Sequence, residues 1–217
     1  MNPATAADYR AEYRARHIGP RYIGGLHFAF TTLGCVAIMA GCVVRLHGVT
    51  AWEWITVPVT LVFANLVEWY GHRGPMHHPR RGLGLLFERH VRQHHRFFTH
   101  ERMAFDETRD FKAVLFPPVM LIFFFGAFAL PVGLLLGLLA TPNVTALFVL
   151  SAIGYFLNYE LLHFAYHLPT SHWAARLPGI AFLRRHHTTH HDPSLMTHHN
   201  FNITYPVADW LFGTLRR

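Results

Sequence analysis

Cysteine is nearly absent. The 217 residues hold two, Cys35 and Cys42, both in one apolar run. Seven residues apart, they lie on one helical face but are too far apart for a bridge within a regular helix. A disulfide framework and a thiolate metal site are both excluded, and the two read as small packing residues. Charge is scarce too. Charged residues make up 14% of the chain and hydrophobic ones 52%, too few charges for an ordinary soluble surface, which points to membrane spans. There is no Gly-rich nucleotide loop, Walker motif, CxxC, haem-attachment CxxCH or solenoid repeat. The formal net charge is +7, yet the basic residues flank apolar runs instead of forming a solvated face. A membrane therefore explains them better than nucleic acid, which is excluded as a partner. Residues 1–21 carry Arg10, Arg14, Arg16 and Arg21 mixed with acids, and no small-residue cleavage site follows. They read as a cytosolic amphipathic lead-in and not as a signal peptide.

The apolar runs predict an all-α fold, with four transmembrane helices and a cytosolic helical cap holding a dinuclear metal site. One membrane domain covers 1–217: the lead-in (1–21), a first helical hairpin (22–70), a basic segment (71–112), a second hairpin (113–167) and the cap (168–217). The first span is Ile23–Val44, with His27 as a packing or hydrogen-bonded histidine. The second, Trp52–Tyr70, carries Trp52, Trp54, Trp69 and Tyr70 at its ends, as membrane interfaces favour. Asn65 and Glu68 lie on its last turns and should face a protein interior, since a carboxylate is costly in lipid. Residues 113–140 would make about 42 Å of helix against a hydrocarbon core of about 30 Å. With Pro117, Pro118 and Pro131 inside, this run reads as one tilted or kinked span or a re-entrant pair. The last span, Val144–Leu162, continues as helix to His167. With four crossings, 18 of the 19 Lys and Arg residues fall on one side and only Arg45 on the other. The positive-inside rule then puts both termini and the metal site on the cytoplasmic side.

What the chain has in excess is histidine, 19 in all. Imidazole-rich, thiolate-poor clusters suit iron, zinc, copper or nickel. His163 and His167, four apart on a helix, present both rings on one face. Glu160 lies on that face and is a candidate acceptor for an imidazole N–H. His72 and His77 are five apart, which is wrong for one face of a straight helix. Gly71, Gly74 and Pro75 would end the helix between them, with Glu68 in the part given to Glu160. His90, His94 and His95 form an HxxxHH box, in which His90 and His94 share a face and His95 is rotated by about 100° towards a second ion. The stretch 185–192 offers HxxxHH from His186 and HxxHH from His187, each ending in His190 and His191. Both first ligands stay open, with His187 preferred. Ten imidazoles are too many for one ion and fit a dinuclear site. His17, His47, His100, His172, His198 and His199 lack box partners and read as non-ligands, His198 and His199 being the strongest exceptions.

These motifs resemble the fatty acid hydroxylase and sterol desaturase superfamily of integral membrane di-iron oxygenases. The resemblance covers residues 60–215. It is carried by Glu68 to Arg73 with His77, Arg89 to Phe98, Asn158 to His167, His187 to His191, and the tail from Asn200 to Thr214. It implies two iron ions, replaceable by zinc in purified protein, and O₂-dependent oxidation of a C–H bond in a lipid chain. The implied ligands are His72, His77, His90, His94, His95, His163, His167, His187, His190 and His191. The second box is wider than the HxxHH common in the family, which leaves the part of His90 open. No electron-carrier domain is fused, so electrons must come from a separate protein. Desaturation, a sterol or carotenoid substrate, or a non-catalytic metal-binding or transport protein are the alternatives on the same scaffold. Phe97, Phe98, Phe164 and Tyr166 are candidate walls for the lipid, and Arg89, Arg92 and Arg96 candidate headgroup contacts.

Overall fold

The computed structural model describes residues 3–216. The described residues form helices and no strand. The helices that matter most here are, in order, α1 (Pro3–His17), α2 (Gly24–Val43), α3 (Thr56–Gly71), α4 (residues 84–97), α5 (Pro118–Leu139), α6 (Pro142–Tyr166), α7 (Pro178–His190) and α8 (Val207–Leu211), with short helical turns between some of them, Phe111–Val114 among these. Three of these, α2, α5 and α6, are long and apolar enough to cross a membrane, which fits an integral membrane protein. The span expected at Trp52–Tyr70 is α3, whose 16 residues fall short of that length. Helical winding nevertheless runs on either side of it, as a 3₁₀ turn at Glu53–Ile55 and a π turn at His72–Met76.

The chain divides into two compact units. One comprises Leu26–Ala64 and Phe116–Glu160. Its core joins Cys35 to Leu121, Ala129, Phe148, Val149, Ala152 and Ile153, so Cys35 packs as expected. Of the apolar spans, α6 is 56% buried against 17% for α2 and α5, which makes α6 the central helix of this core. Gly137 lets α5 approach α6, since a Cβ there would fall 2.0 Å from Thr145 Oγ1. The apolar run 113–140 resolves into one helix and not a re-entrant pair. It starts with Pro118 in its first turn, where a missing N–H costs nothing. A π turn at Phe124–Ala129 lies just before Pro131, which can neither donate to the ladder nor clear the preceding turn. His27 Nε2 donates to Phe116 O at 2.9 Å, the hydrogen-bonded role expected of it.

A polar lock ties the loop before α3 to the start of α6. Glu53, which nothing in the sequence had marked, is buried. Its Oε2 accepts from Thr50 N at 2.7 Å, Thr50 Oγ1 at 2.8 Å and Asn143 Nδ2 at 3.2 Å, and its Oε1 from Thr141 Oγ1 at 2.5 Å. Glu53→Ala would strand these donors and should lower the thermal midpoint of the protein, and Glu53→Gln, which keeps one acceptor oxygen, should do so by less.

The other unit comprises the described residues of Met1–Gly25, Asn65–Leu115 and Leu161–Arg217. The lead-in is built into it. Arg10 is 1% exposed and donates to Phe97 O at 2.8 Å, Arg102 O at 2.8 Å, Ala104 O at 3.0 Å and Asp106 Oδ2 at 3.2 Å. Arg14 pairs with Asp106 at 2.8 Å and Asp110 at 2.7 Å. Residues 98–110 have little regular structure of their own, so these side chains replace the ladder that their carbonyls lack. Gly24 completes the fit. A Cβ there would lie 1.8 Å from Thr108 O. At its far end Trp69, expected at an interface, is 7% exposed and donates to Thr214 Oγ1 at 2.9 Å, whereas Tyr70 is 72% exposed. Removing Arg10 would strand the buried carbonyl of Phe97, at a cost of about 1–3 kcal/mol, and free the part-buried carbonyls of Arg102 and Ala104. Arg10→Ala should thus lower the thermal midpoint of the protein by a margin equivalent to at least about 1–3 kcal/mol, and Arg10→Lys by less.

Candidate metal centre

All ten histidines of the four boxes lie in this second unit, and all are 8% exposed or less. They form two adjacent groups. His72, His77, His90, His95 and His190 each offer one ring nitrogen, all within 4.8 Å of one another, and so do His94, His163, His167 and His187. His191 joins the second group, its Nε2 lying 3.0 Å from His187 Nε2 and 3.1 Å from His94 Nε2. The groups touch where His95 stacks on His191, with ring centroids 4.2 Å apart.

The partition follows from helix winding. His163 and His167 share a face of α6 and enter one group. At the end of α7, His187 and the capping His191 are likewise four apart and join them, while His190 belongs to the other group. The remaining two boxes correct the sequence reading. Glu88–His94 within α4 is π-helical, and its wider turn aligns residues five apart. His90 therefore pairs with His95, and His94 goes to the second group. His90 and His94 share a face as expected, their rings stacked with centroids 5.5 Å apart, but their inward nitrogens fall in different groups. His72–Met76 is also a π turn. His72 and His77 meet by continued winding through Gly74 and Pro75, and no break separates them. The helix-interior Pro75 fits because a π turn already gives up the regular i−4 bond.

The rings are oriented by their outer nitrogens. Nδ1–H donates to a backbone carbonyl in His72 (to Phe201), His94 (to Ala113, 2.9 Å), His167 (to Met103, 2.6 Å), His190 (to His199, 2.9 Å) and His191 (to Phe98, 2.7 Å). A neutral imidazole carries one N–H, so in these five the inward Nε2 is a bare lone pair. His94 Nε2 and His191 Nε2 stand 3.1 Å apart with no hydrogen between them. Two lone pairs at that distance repel unless a cation lies within reach of both. The close Nε2···Nε2 separations run from 2.7 to 3.1 Å in the first group and from 3.0 to 3.2 Å in the second. Imidazoles about 2.0–2.1 Å from one ion and at right angles would be about 2.9 Å apart. The donor set therefore fits a borderline metal in each group, and its lack of oxygen ligands disfavours calcium or magnesium.

Electrostatics agrees. Burial, reinforced by neighbouring imidazoles, pushes His72, His90, His95, His167, His187 and His191 well below the usual histidine range. His77 falls to about 2, and His94 and His190 to about 4, burial again being the main cause. All of these rings stay neutral at physiological pH, the form that binds metal. Nδ1 of His77, His95 and His187 is buried with no protein partner.

The two carboxylates expected to brace imidazoles serve the backbone instead. Glu68 accepts from the amides of Ile203 and Thr204, and from Thr204 Oγ1 at 2.6 Å. Glu160 accepts from Phe116 N at 3.3 Å, and its Oε1 has no partner. The helix that ends at Val114 and the prolines at 117 and 118 leave the Phe116 N–H without a ladder acceptor, and Glu160 supplies one. Asn65 faces protein as expected, bonding Tyr205 O and Ala208 N. Phe97, Phe98 and Tyr166 are fully buried core residues, and Arg89 bonds Lys112 O and Gln93, so none of these four faces an open lipid path. His198 and His199 are in neither group, although His199 lends its carbonyl to His190. His186 turns away, its Nε2 lying 3.1 Å from Asn202 O and 3.3 Å from Asp209 Oδ2, while His187 points inward. His187→Ala should lower the metal content of purified protein and His186→Ala should leave it unchanged. The reverse pattern would exchange their roles.

Asp209, with Asn200, Asn202 and Thr214, was missed as a site element. The only sequence signal was the likeness of the tail to the family's closing segment. Comparison with protein families shows a match to the fatty acid hydroxylase model over residues 57–214. No curated protein and no solved structure matches the chain.

Proposed function

The chain belongs to the fatty acid hydroxylase family, and from that premise we propose that it is a membrane-bound di-iron oxygenase. It hydroxylates a C–H bond of a fatty acyl lipid with O₂ and two electrons from a separate donor protein. The observation that carries this reading is the inward convergence of ten buried imidazoles in two touching groups. His72, His77, His90, His95 and His190 would hold one iron, and His94, His163, His167, His187 and His191 the other. Zinc would compete for the same nitrogens.

Iron bound there supplies the activation of O₂ that an unactivated C–H bond requires. In sum, R–H, O₂, two electrons and two protons give R–OH and water. The protein's own part is to bury the nitrogens, keep them neutral and fix each ring through its outer N–H, which together set affinity and geometry before the ions arrive. Uncharged ligands leave the full charge of the ions in a buried site. Hydroxylation is preferred to desaturation on family membership, since both begin with removal of the same hydrogen.

The apolar helices α2, α5 and α6 support three crossings, and we take α3, at the expected span Trp52–Tyr70, as the fourth. The charge distribution then favours the cytoplasm for both termini and for the histidine groups, where an external reductase could reach them. The test is lipid mass spectrometry of cells with and without the gene. Expression should add one oxygen atom to an acyl lipid, and His163→Ala or His190→Ala should abolish the product. Loss of two hydrogens instead would make the enzyme a desaturase. An unchanged lipidome under reducing, iron-replete conditions would refute the assignment.

A further inference from the structure

The two histidine groups draw their orienting carbonyls from different stretches of chain. The second group uses Phe98, Met103 and Ala113, the first two of them within the stretch that Arg10 and Arg14 hold. The first uses His199 and Phe201, for His190 and His72. Residues 199–202 have neither helix nor strand to hold those carbonyls in place. Asn200 is moreover in the left-handed region, at φ 59°, which a non-glycine residue keeps only when its surroundings impose it.

What imposes it is a fully buried polar network centred on Asp209. Asp209 Oδ1 accepts from Phe201 N at 2.9 Å and Thr214 Oγ1 at 2.6 Å, and Oδ2 from Asn202 N at 2.8 Å. His186 Nε2 lies 3.3 Å from the same Oδ2, and Asp209 N donates back to Asn202 Oδ1 at 3.1 Å. Asn200 is held in turn by Nδ2 to His186 O at 3.1 Å and by Arg216 N to its Oδ1 at 2.7 Å. Phe201 is thus gripped at its N–H by Asp209 while its C=O accepts the hydrogen bond of His72 Nδ1–H. A carboxylate accepting several N–H and O–H bonds is a strong anchor, because charge-assisted hydrogen bonds are about twice as strong as neutral ones.

We propose that Asp209 is a positioning residue for one metal only: through the 199–202 backbone it orients His72 and His190, and the group of His163 and His167 does not depend on it. This rests on the two-metal reading above. The partners that orient metal-binding histidines typically contribute about 10–100-fold in affinity, so the effect should be large and confined to one group.

The experiment is titration of the full-length purified protein with Fe(II), alongside diethyl pyrocarbonate modification read peptide by peptide by mass spectrometry. Wild type should bind iron in both groups and protect all ten histidines. Asp209→Ala should lose about 10–100-fold in affinity at one site and retain about half the metal. His72, His77 and His190 should become reactive while His163 and His167 stay protected. Asp209→Asn keeps one acceptor oxygen and should lie between, and it carries the test if the alanine variant fails to fold. Equal exposure of both groups would show a general structural role and overturn the proposal, as would full protection in both variants. A wild type that binds no metal would overturn this proposal together with the two-metal reading. Metal in the wild type with no selectivity in the variants would overturn this proposal alone.

Discussion

The constraint on which the rest of the fold depends is that bare imidazole lone pairs must be buried facing one another. Five of the inward nitrogens are fixed as unprotonated by carbonyls on the far side of their rings, and burial keeps the rings from taking up a compensating proton. Without a cation such an arrangement is repulsive, so other parts of the chain must hold it in place. Much of what looks like ordinary packing in this unit is that support. Arg10 threads into the 97–106 loop, Glu68 grips Ile203 and Thr204, and Asp209 gathers the tail. Each of these charged groups is matched to backbone amides or carbonyls that have no regular ladder, which offsets the cost of burying them.

Helix winding is the means by which so many ligands share so little space. Consecutive histidines such as His94–His95 and His190–His191 serve different groups because a helix rotates them by about 100°. Two π turns, at His72–Met76 and Glu88–His94, extend the set. A five-residue spacing, useless on a regular α-helix, brings His72 onto His77 and His90 onto His95. π turns are rare and concentrate at functional sites; of the three among the described residues, these two carry histidines of the groups, and the third, at Phe124–Ala129, does not.

The sequence already showed an all-helical membrane protein and the ten histidines, because apolar run length and residue type are local signals. The preference for His187 over His186 could be framed there but not decided, since both fit a box and only the position of Asp209 tells them apart. The shared face of His90 and His94 was legible, but the grouping of His90 with His95 was not, because spacing was read on a regular helix and nothing local announces a π turn at Glu88–His94. Glu68 and Glu160 were drawn to imidazoles by their place on a face. They bond backbone instead, because the orphan amides of Ile203, Thr204 and Phe116 belong to distant segments whose breaks only the fold brings near. Asp209 and Glu53 were invisible for the same reason: their partners lie in segments whose approach no local pattern encodes.

The central claim is that each group of buried imidazoles binds a metal ion through nitrogen alone. X-ray absorption at the metal edge of the purified, iron-loaded protein tests it most directly. The account predicts one ion per group, with a first shell dominated by imidazole nitrogen, bonds near the roughly 2.0–2.1 Å typical of metal–imidazole contacts, and no sulfur. A protein that binds no stoichiometric metal, or a shell containing thiolate sulfur, would contradict it.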